Sequence, residues 1–145
     1  IAINLYGSLY MHHAVLKGMS DRGRGRVVNI ASDAARVGST GEAVYALCKG
    51  GMIAFSKTMA RELSRKQISV NVVCPGPTDT ALFADFAGEG EGADKLRQGL
   101  ARAIPFGRLG QPSDLPGAIA FLASDDAAFI TGQVISVSGG LTMVG

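Results

Sequence analysis

Three side chains of this sequence are suited to moving a proton to or from an alcohol oxygen: Ser32, Tyr45 and Lys49. Tyr45 and Lys49 are four residues apart, so on a helix their side chains leave the same face. A phenol with its ordinary pKa is a weak base near neutral pH, and activating it requires roughly 3 to 4 kcal/mol of preferential phenolate stabilisation. A nearby ammonium supplies much of this in a partly dry site. A serine hydroxyl adds a neutral donor, so the set suits proton transfer coupled to hydride transfer at carbon.

Two predicted strands and the helix between them must position these side chains. The run 26–32 is apolar and β-branched without alternation, which predicts a fully buried parallel strand. Apolar residues recur at helical spacing over 42–65, and 68–74 predicts a second strand that ends at Pro75-Gly76-Pro77. A strand–helix–strand unit of this kind is a right-handed parallel crossover. Ser32 is then expected at the carboxyl end of a strand, where open α/β sheets place their ligands.

The rest of the chain predicts further helices and one more strand. The predicted segments are a helix over 1–20, a loop over 33–41, a flexible segment over 85–92, helices over 93–103 and 113–122 (the latter capped by Ser113), and a strand over 133–138. Strands that alternate with helices indicate an α/β fold with a doubly wound parallel sheet. No glycine-rich G-x-G-x-x-G or G-x-x-x-G-x-G turn occurs. We therefore expect 1–145 to be the catalytic C-terminal half of a Rossmann-type domain without its phosphate-binding N-terminal half.

Composition excludes several classes of function. Hydrophobic residues make up 47% and charged residues 18% of the 145 residues, which argues against disorder. A net charge of +2 provides no strong field for nucleic acid, and no apolar run reaches the ~18 residues of a membrane span. Cys48 and Cys74 are too few for a disulfide scaffold, which favours a reducing cytoplasm. Two cysteines and the adjacent His12 and His13 assemble no zinc set of ordinary spacing, so we expect no metal.

In ordered combination, the motifs resemble the short-chain dehydrogenase/reductase family over nearly the whole chain. They are Asn4 in Ile3-Asn4-Leu5-Tyr6-Gly7, the run 27–32, Tyr45 with Lys49, Pro75-Gly76-Pro77-Thr78-Asp79-Thr80, and Thr131-Gly132-Gln133-Val134 leading to Gly139-Gly140. The resemblance implies that Tyr45 is the general acid/base and that Ser32 orients the substrate oxygen. It implies that Lys49 binds the nicotinamide ribose and lowers the pKa of Tyr45. Asn4 is then expected to hold a water that links Lys49 to solvent.

The same resemblance implies a cofactor-binding role for the segment after the second strand. Pro75 and Gly76 would lie against the nicotinamide, since glycine permits close approach and proline fixes the path of the chain. Thr78 through its backbone and Thr80 through its hydroxyl would hold the carboxamide or a nearby phosphate. Asn29, on the strand that precedes Ser32, is expected to be structural. Family members are usually homotetramers, so helices near 1–20 and 42–65 are expected to form one interface.

A narrower resemblance concerns the substrate. The stretches 32–45, 71–82 and 130–143 look like those of family members that oxidise 2-hydroxycyclohexane-1-carboxyl-CoA with NAD in alicyclic ring degradation. This implies a β-hydroxyacyl-CoA as substrate and NAD as cofactor, with NADP open. Cations suited to CoA phosphates flank the expected site. They are Arg36, Lys95, Arg97, Arg102 and Arg108.

Three alternatives stand beside this interpretation. The first is a 3-oxoacyl thioester reductase of fatty-acid type that works in the reverse direction with NADPH. The second is a non-catalytic fragment, because the phosphate-binding turn is missing; in that case the 145-residue chain alone should bind NAD poorly. The third is a hydrolase triad of Ser32, His12 and Asp33, which the absence of a G-x-S-x-G motif disfavours.

Overall fold

A computed structural model describes residues 1–144 and contains one parallel sheet in the order β1-β2-β3. The strands are β1 (Gly25–Ile30), β2 (Ile68–Pro75) and β3 (Val134–Val137). The helices are a π-helix over Ala2–Tyr6, α1 (Gly7–Asp21), α2 (Ala34–Val37), α3 (Ala43–Leu63), α4 (Ala81–Ala87), α5 (Glu91–Ala103) and α6 (Pro116–Ala123), with 3₁₀ turns at Ser64–Lys66, Pro112–Asp114 and Asp125–Ala127. The α/β class and the parallel sheet are confirmed.

The central strand β2 is buried on both faces, which explains its apolar sequence without alternation. Successive side chains of a strand point to opposite faces. Val72 and Cys74 pack toward α3 against Met52, whereas Val73 packs on the other face against Leu122 of α6. Helices therefore cover both faces of β2, as a doubly wound sheet requires. No helix within residues 1–144 combines the length and apolarity needed to cross a bilayer.

The predicted cap of the last helix is wrong. Ser113 lies inside a 3₁₀ turn, and α6 begins at Pro116 without a side-chain cap. The Asp114 carboxylate instead closes the preceding turn, because it accepts a hydrogen bond from the Gln111 N–H at 2.6 Å and pairs with Arg108. Proline is tolerated at the first position of α6 because the N–H at that position of a helix has no intrahelical hydrogen-bond partner.

The structure contains helices in two segments for which the sequence predicted none. The segment 33–41 includes α2, and the segment 81–87 forms α4, whose first turn is capped by the Thr80 hydroxyl through the Phe83 N–H at 3.1 Å. Gly88 and Gly90, both with positive φ, separate α4 from α5. Two short helices joined by a tight glycine turn therefore follow the loop after β2.

Candidate active site

The carboxyl ends of the strands and the start of α3 bring Ser32, Tyr45 and Lys49 to one edge of the sheet. Ser32 lies two residues beyond β1, and its Oγ accepts a hydrogen bond from the Ala34 N–H at 3.2 Å. Lys49 Nζ donates to the carbonyl of Ile30, the last residue of β1, at 3.0 Å. The same ammonium lies 5.6 Å from the centroid of the Tyr45 ring. Ser32, Tyr45 and Lys49 are all half-buried, so each is open to a ligand.

The Lys49 ammonium is the electrostatic centre of this edge. Burial lowers the pKa of Lys49, while the thiols of Cys48 and Cys74 act weakly in the opposite direction. An ammonium has three N–H donors, and the bond to Ile30 uses one of them. The other two donors are available to ligand oxygens, and the positive charge favours the phenolate form of a neighbouring tyrosine.

The turn after β2 lies against β3 and against a second loop. The Gly76 N–H donates to the Val137 carbonyl at 3.1 Å, which carries the sheet pairing one residue past β2. The Gly110 N–H donates to Pro77 O at 2.9 Å, and Gly110 O accepts from the Asp79 N–H at 2.8 Å. The turn that the sequence resemblance assigns to the cofactor is therefore held by hydrogen bonds to β3 and to the loop that contains Gly110.

The two threonines of this segment bond locally. The Thr78 hydroxyl donates to the Gly76 carbonyl at 2.9 Å, and the Thr80 hydroxyl caps α4. The Thr78 N–H makes no hydrogen bond with the residues that the structure describes, so this main-chain donor is open to a ligand. A cavity lies beside it, lined by Thr78, Phe106, Val137 and Ser138.

Asn4 lies in the π-helix Ala2–Tyr6, which is part of the segment 1–20 predicted to be helical, although the π type was not predicted. π-Helical turns are rare in proteins, but those that occur are often found at functional sites. The π-helix packs against α3, where Leu5 lies 3.5 Å from the position that a Cβ on Gly51 would take. Asn4 is half-buried and forms no side-chain hydrogen bond within residues 1–144, so its assigned role stays a prediction.

His12 and Asn29 form a buried structural pair. The Asn29 amide donates to His12 Nε2 at 3.1 Å and to Ser56 Oγ at 2.8 Å. Since Nε2 accepts, His12 Nδ1 carries the proton and donates to Ser8 O at 2.7 Å. Both imidazole nitrogens are occupied away from Ser32, so the structure does not assemble the hydrolase triad.

The cations expected to flank the site are mostly engaged with protein groups. Arg36 bonds to β3 and to the Val144 carbonyl. The ion pairs are Lys95 with Glu91, Arg97 with Asp79 and Arg108 with Asp114. Asp33, named in the sequence only as a member of the disfavoured hydrolase triad, is instead a buried carboxylate that bonds to Ser136 of β3, a contact that no local pattern predicted.

Comparison with known proteins places the chain among oxidoreductases. A family model described as "Enoyl-(Acyl carrier protein) reductase" matches residues 1–142. The chain is 40% identical over 144 residues to the 3-oxoacyl-[acyl-carrier-protein] reductase FabG of Escherichia coli (strain K12) and covers 57% of it. It is 41% identical over 140 residues to the acetoacetyl-CoA reductase of Shinella zoogloeoides and covers 56% of it. These matches include 99% and 97% of the chain, which thus spans a little over half the length of these relatives.

A solved structure agrees with the fold. The ligand-free aldohexose dehydrogenase (AldT) of Thermoplasma acidophilum superposes with a TM-score of 0.89 at 29% sequence identity. The match covers 98% of this chain and 57% of that one.

Proposed function

Because the chain belongs to the short-chain dehydrogenase/reductase family, we propose that the protein interconverts the β-hydroxyacyl and β-ketoacyl forms of a thioester with a nicotinamide cofactor. The observation that carries this proposal is that Lys49 lies beside the Tyr45 ring and bonds to the carbonyl of Ile30, two residues before Ser32, at the carboxyl edge of the sheet. The names of two relatives, a 3-oxoacyl-[acyl-carrier-protein] reductase and an acetoacetyl-CoA reductase, support a thioester as substrate.

The residues of the site divide the chemistry among them. In the oxidation direction the Tyr45 phenolate takes the hydroxyl proton of the substrate, and the C=O bond forms as hydride leaves the same carbon. Lys49 stabilises the phenolate, and Ser32 donates a hydrogen bond to the substrate oxygen. The Ser32 oxygen accepts a hydrogen bond from the Ala34 N–H, and its hydroxyl proton remains available to donate to the substrate oxygen. In the reduction direction the same groups act in reverse order.

The donor set at the edge fits a nicotinamide nucleotide. The free N–H donors of Lys49 suit the hydroxyls of a ribose, and the open N–H of Thr78 suits the oxygen of a carboxamide. Pro75 and Gly76 would form the surface against which the ring lies. A bound NAD or NADP supplies the hydride acceptor or donor. The proposed role of Thr80 is the weakest of these, because its hydroxyl already caps α4.

Two finer versions of the function differ in substrate and direction. The narrower sequence resemblance supports NAD-dependent oxidation of a β-hydroxyacyl-CoA such as 2-hydroxycyclohexane-1-carboxyl-CoA. The family resemblance adds the proposal of a homotetramer, and the low cysteine count adds that of a cytoplasmic location. The names of the relatives favour a second candidate, the reduction of a 3-oxoacyl thioester, for which we propose NADPH. Steady-state rates with NAD, NADH and NADPH, and with CoA and acyl-carrier-protein thioesters, distinguish these candidates.

The test of the proposed chemistry is Tyr45→Phe, which removes one hydroxyl and retains the ring. Loss of a general acid/base costs about 10²- to 10⁴-fold in rate. In a complete chain of the relatives' length, kcat should therefore fall by that amount while NAD(P) binding by calorimetry persists. Tyr10→Phe on α1, where the ring is 70% exposed, is the matched control and should keep full activity. Undiminished turnover by Tyr45→Phe would end the proposal. Absence of both cofactor binding and turnover in the unsubstituted 145-residue chain would favour the non-catalytic alternative.

A further inference from the structure

A partly buried polar cluster includes Asp33, the residue that follows Ser32. Asp33 is only 4% exposed, and the Ser136 hydroxyl on β3 donates to its Oδ1. The Arg36 guanidinium in turn donates to Ser136 Oγ at 2.8 Å and to the Val134 carbonyl at 3.3 Å. Its other nitrogen donates to the Val144 carbonyl at 2.7 Å. The cluster therefore joins α2, β3 and the segment after β3.

The position of Asp33 before α2 is one where aspartate ordinarily caps the helix. Here its side chain makes no cap and reaches β3 instead. The Ser32 hydroxyl oxygen instead accepts a hydrogen bond from the Ala34 N–H at the start of α2. Since Ser32 Oγ accepts this hydrogen bond, its hydroxyl proton is free to donate to another group.

Main-chain hydrogen bonds link the same residue to the turn after β2. The Asp33 N–H donates to Pro75 O at 3.1 Å, and the next residue along that turn, Gly76, donates to Val137 O at 3.1 Å. Asp33 Oδ2 lies 3.8 Å from the position that a Cβ on Gly76 would take. Asp33 therefore connects the turn after β1 to the end of β2 through its main-chain N–H and to β3 through its carboxylate.

The second carboxylate oxygen, Oδ2, is buried without a hydrogen-bond partner among the described residues. A buried polar atom without a partner is costly. Alanine at position 33, between β1 and α2, would avoid this cost, so packing alone does not account for an aspartate here.

We infer that Asp33 is a positioning residue, whose bond to Ser136 holds Ser32 and the Gly76 turn in one fixed arrangement. The inference rests on the proposed function, since it concerns the two segments that would hold substrate oxygen and cofactor. Asp33 itself acts on the reaction only through its neighbours. Errors of about 1 Å in the placement of reacting groups cost up to ~10²-fold in rate, so a loosened arrangement should lower kcat more than it raises KM.

The experiment compares Ser136→Ala, which removes the hydroxyl donor, with Ser136→Thr, which retains it on a strand that tolerates β-branched residues. Ser136→Ala should lower kcat by about 10- to 100-fold with KM changed by less than about threefold, and Ser136→Thr should recover most of kcat. Asp33→Asn should resemble Ser136→Ala in kcat. Asp126→Asn, an exposed acid in the Asp125–Ala127 turn, is the control and should keep full activity.

Amide hydrogen exchange provides a readout that does not depend on the reaction. In Ser136→Ala the N–H groups of Asp33 and Gly76 should exchange at least about tenfold faster, while those of Val70 and Val72 in β2 keep their protection. Unchanged exchange at Gly76 together with an unchanged kcat would overturn the inference, and so would an equal loss of kcat in the alanine and threonine variants. If Gly76 exchanges faster in Ser136→Ala but the unsubstituted protein turns over no thioester, the positioning role of the Asp33–Ser136 bond would be supported and the proposed function refuted.

Discussion

Gly76, the first residue after β2, cannot accept even one additional carbon without displacing its neighbours. A Cβ built there lies 2.8 Å from the Cβ of Ser138 and 3.1 Å from its Cα. Carbon atoms pack best at about 3.5 to 4.0 Å, so the closer contact is short by roughly 0.7 to 1.2 Å. The opposing atoms belong to the main chain and the first side-chain carbon of Ser138, which cannot rotate away.

Gly76→Ala should therefore destabilise the fold and slow the reaction. Overpacking of this kind costs about 1 to 3 kcal/mol. The flanking prolines and the hydrogen bond to Val137 limit how the turn can relax, so part of the displacement reaches Thr78. Because this turn is proposed to hold the cofactor, a shift of about 1 Å there should lower kcat by up to ~10²-fold.

The assay is urea unfolding followed by circular dichroism, together with steady-state kinetics. Gly99→Ala is the matched control, because Gly99 lies on α5 and a Cβ there meets no atom within 4 Å. Replacing a helical glycine with alanine gains about 0.8 to 1 kcal/mol, so the two variants should shift stability in opposite directions. If Gly76→Ala unfolds at the same urea concentration as the unsubstituted protein, the steric argument is refuted.

Three further predictions concern stability and titration. Asn29→Ala, which removes the buried donor to Ser56, should cost about 2 to 3 kcal/mol in urea unfolding; a loss below about 0.5 kcal/mol would contradict the structural role of this amide. Burial raises the pKa of the Cys74 thiol from 9.0 to about 11, and the negative charge of Asp33 adds to the rise. The unfolded chain therefore loses this proton at lower pH than the folded chain does, so the free energy of unfolding should fall as pH rises from 9.0 to about 11. Cys74→Ala should remove that part of the pH slope, and an identical slope in both proteins would count against it. The Arg108 hydrogen bond lowers the pKa of Asp114 to about 2; in Arg108→Gln, NMR titration should show it return toward 3.8, and a pKa still near 2 would exclude Arg108 as the cause.

Patterns within short stretches of sequence determined most of the fold and the central part of the site. The helical spacing of apolar residues located α3, and apolar runs without alternation located β1 and β2, because burial on one or both faces of an element is visible in neighbouring residues. The four-residue spacing of Tyr45 and Lys49 determined that they share a face of α3. The position of Ser32 after a buried run placed it at the carboxyl edge of the sheet. All three inferences depend on local geometry alone.

Tertiary structure decided which distant residues support that site. Asp33 and Ser136 are 103 positions apart and meet because β1 and β3 flank β2 in parallel, with Cys74 paired to Ser136 and Pro75 to Val137. The same register sets Gly76 against Ser138. No local periodicity encodes such contacts, since a shift of one residue in strand pairing would exchange every side chain between the two faces. Sequence alone thus predicted the groups that are proposed to react, and the register of the sheet determined which distant residues pack around them.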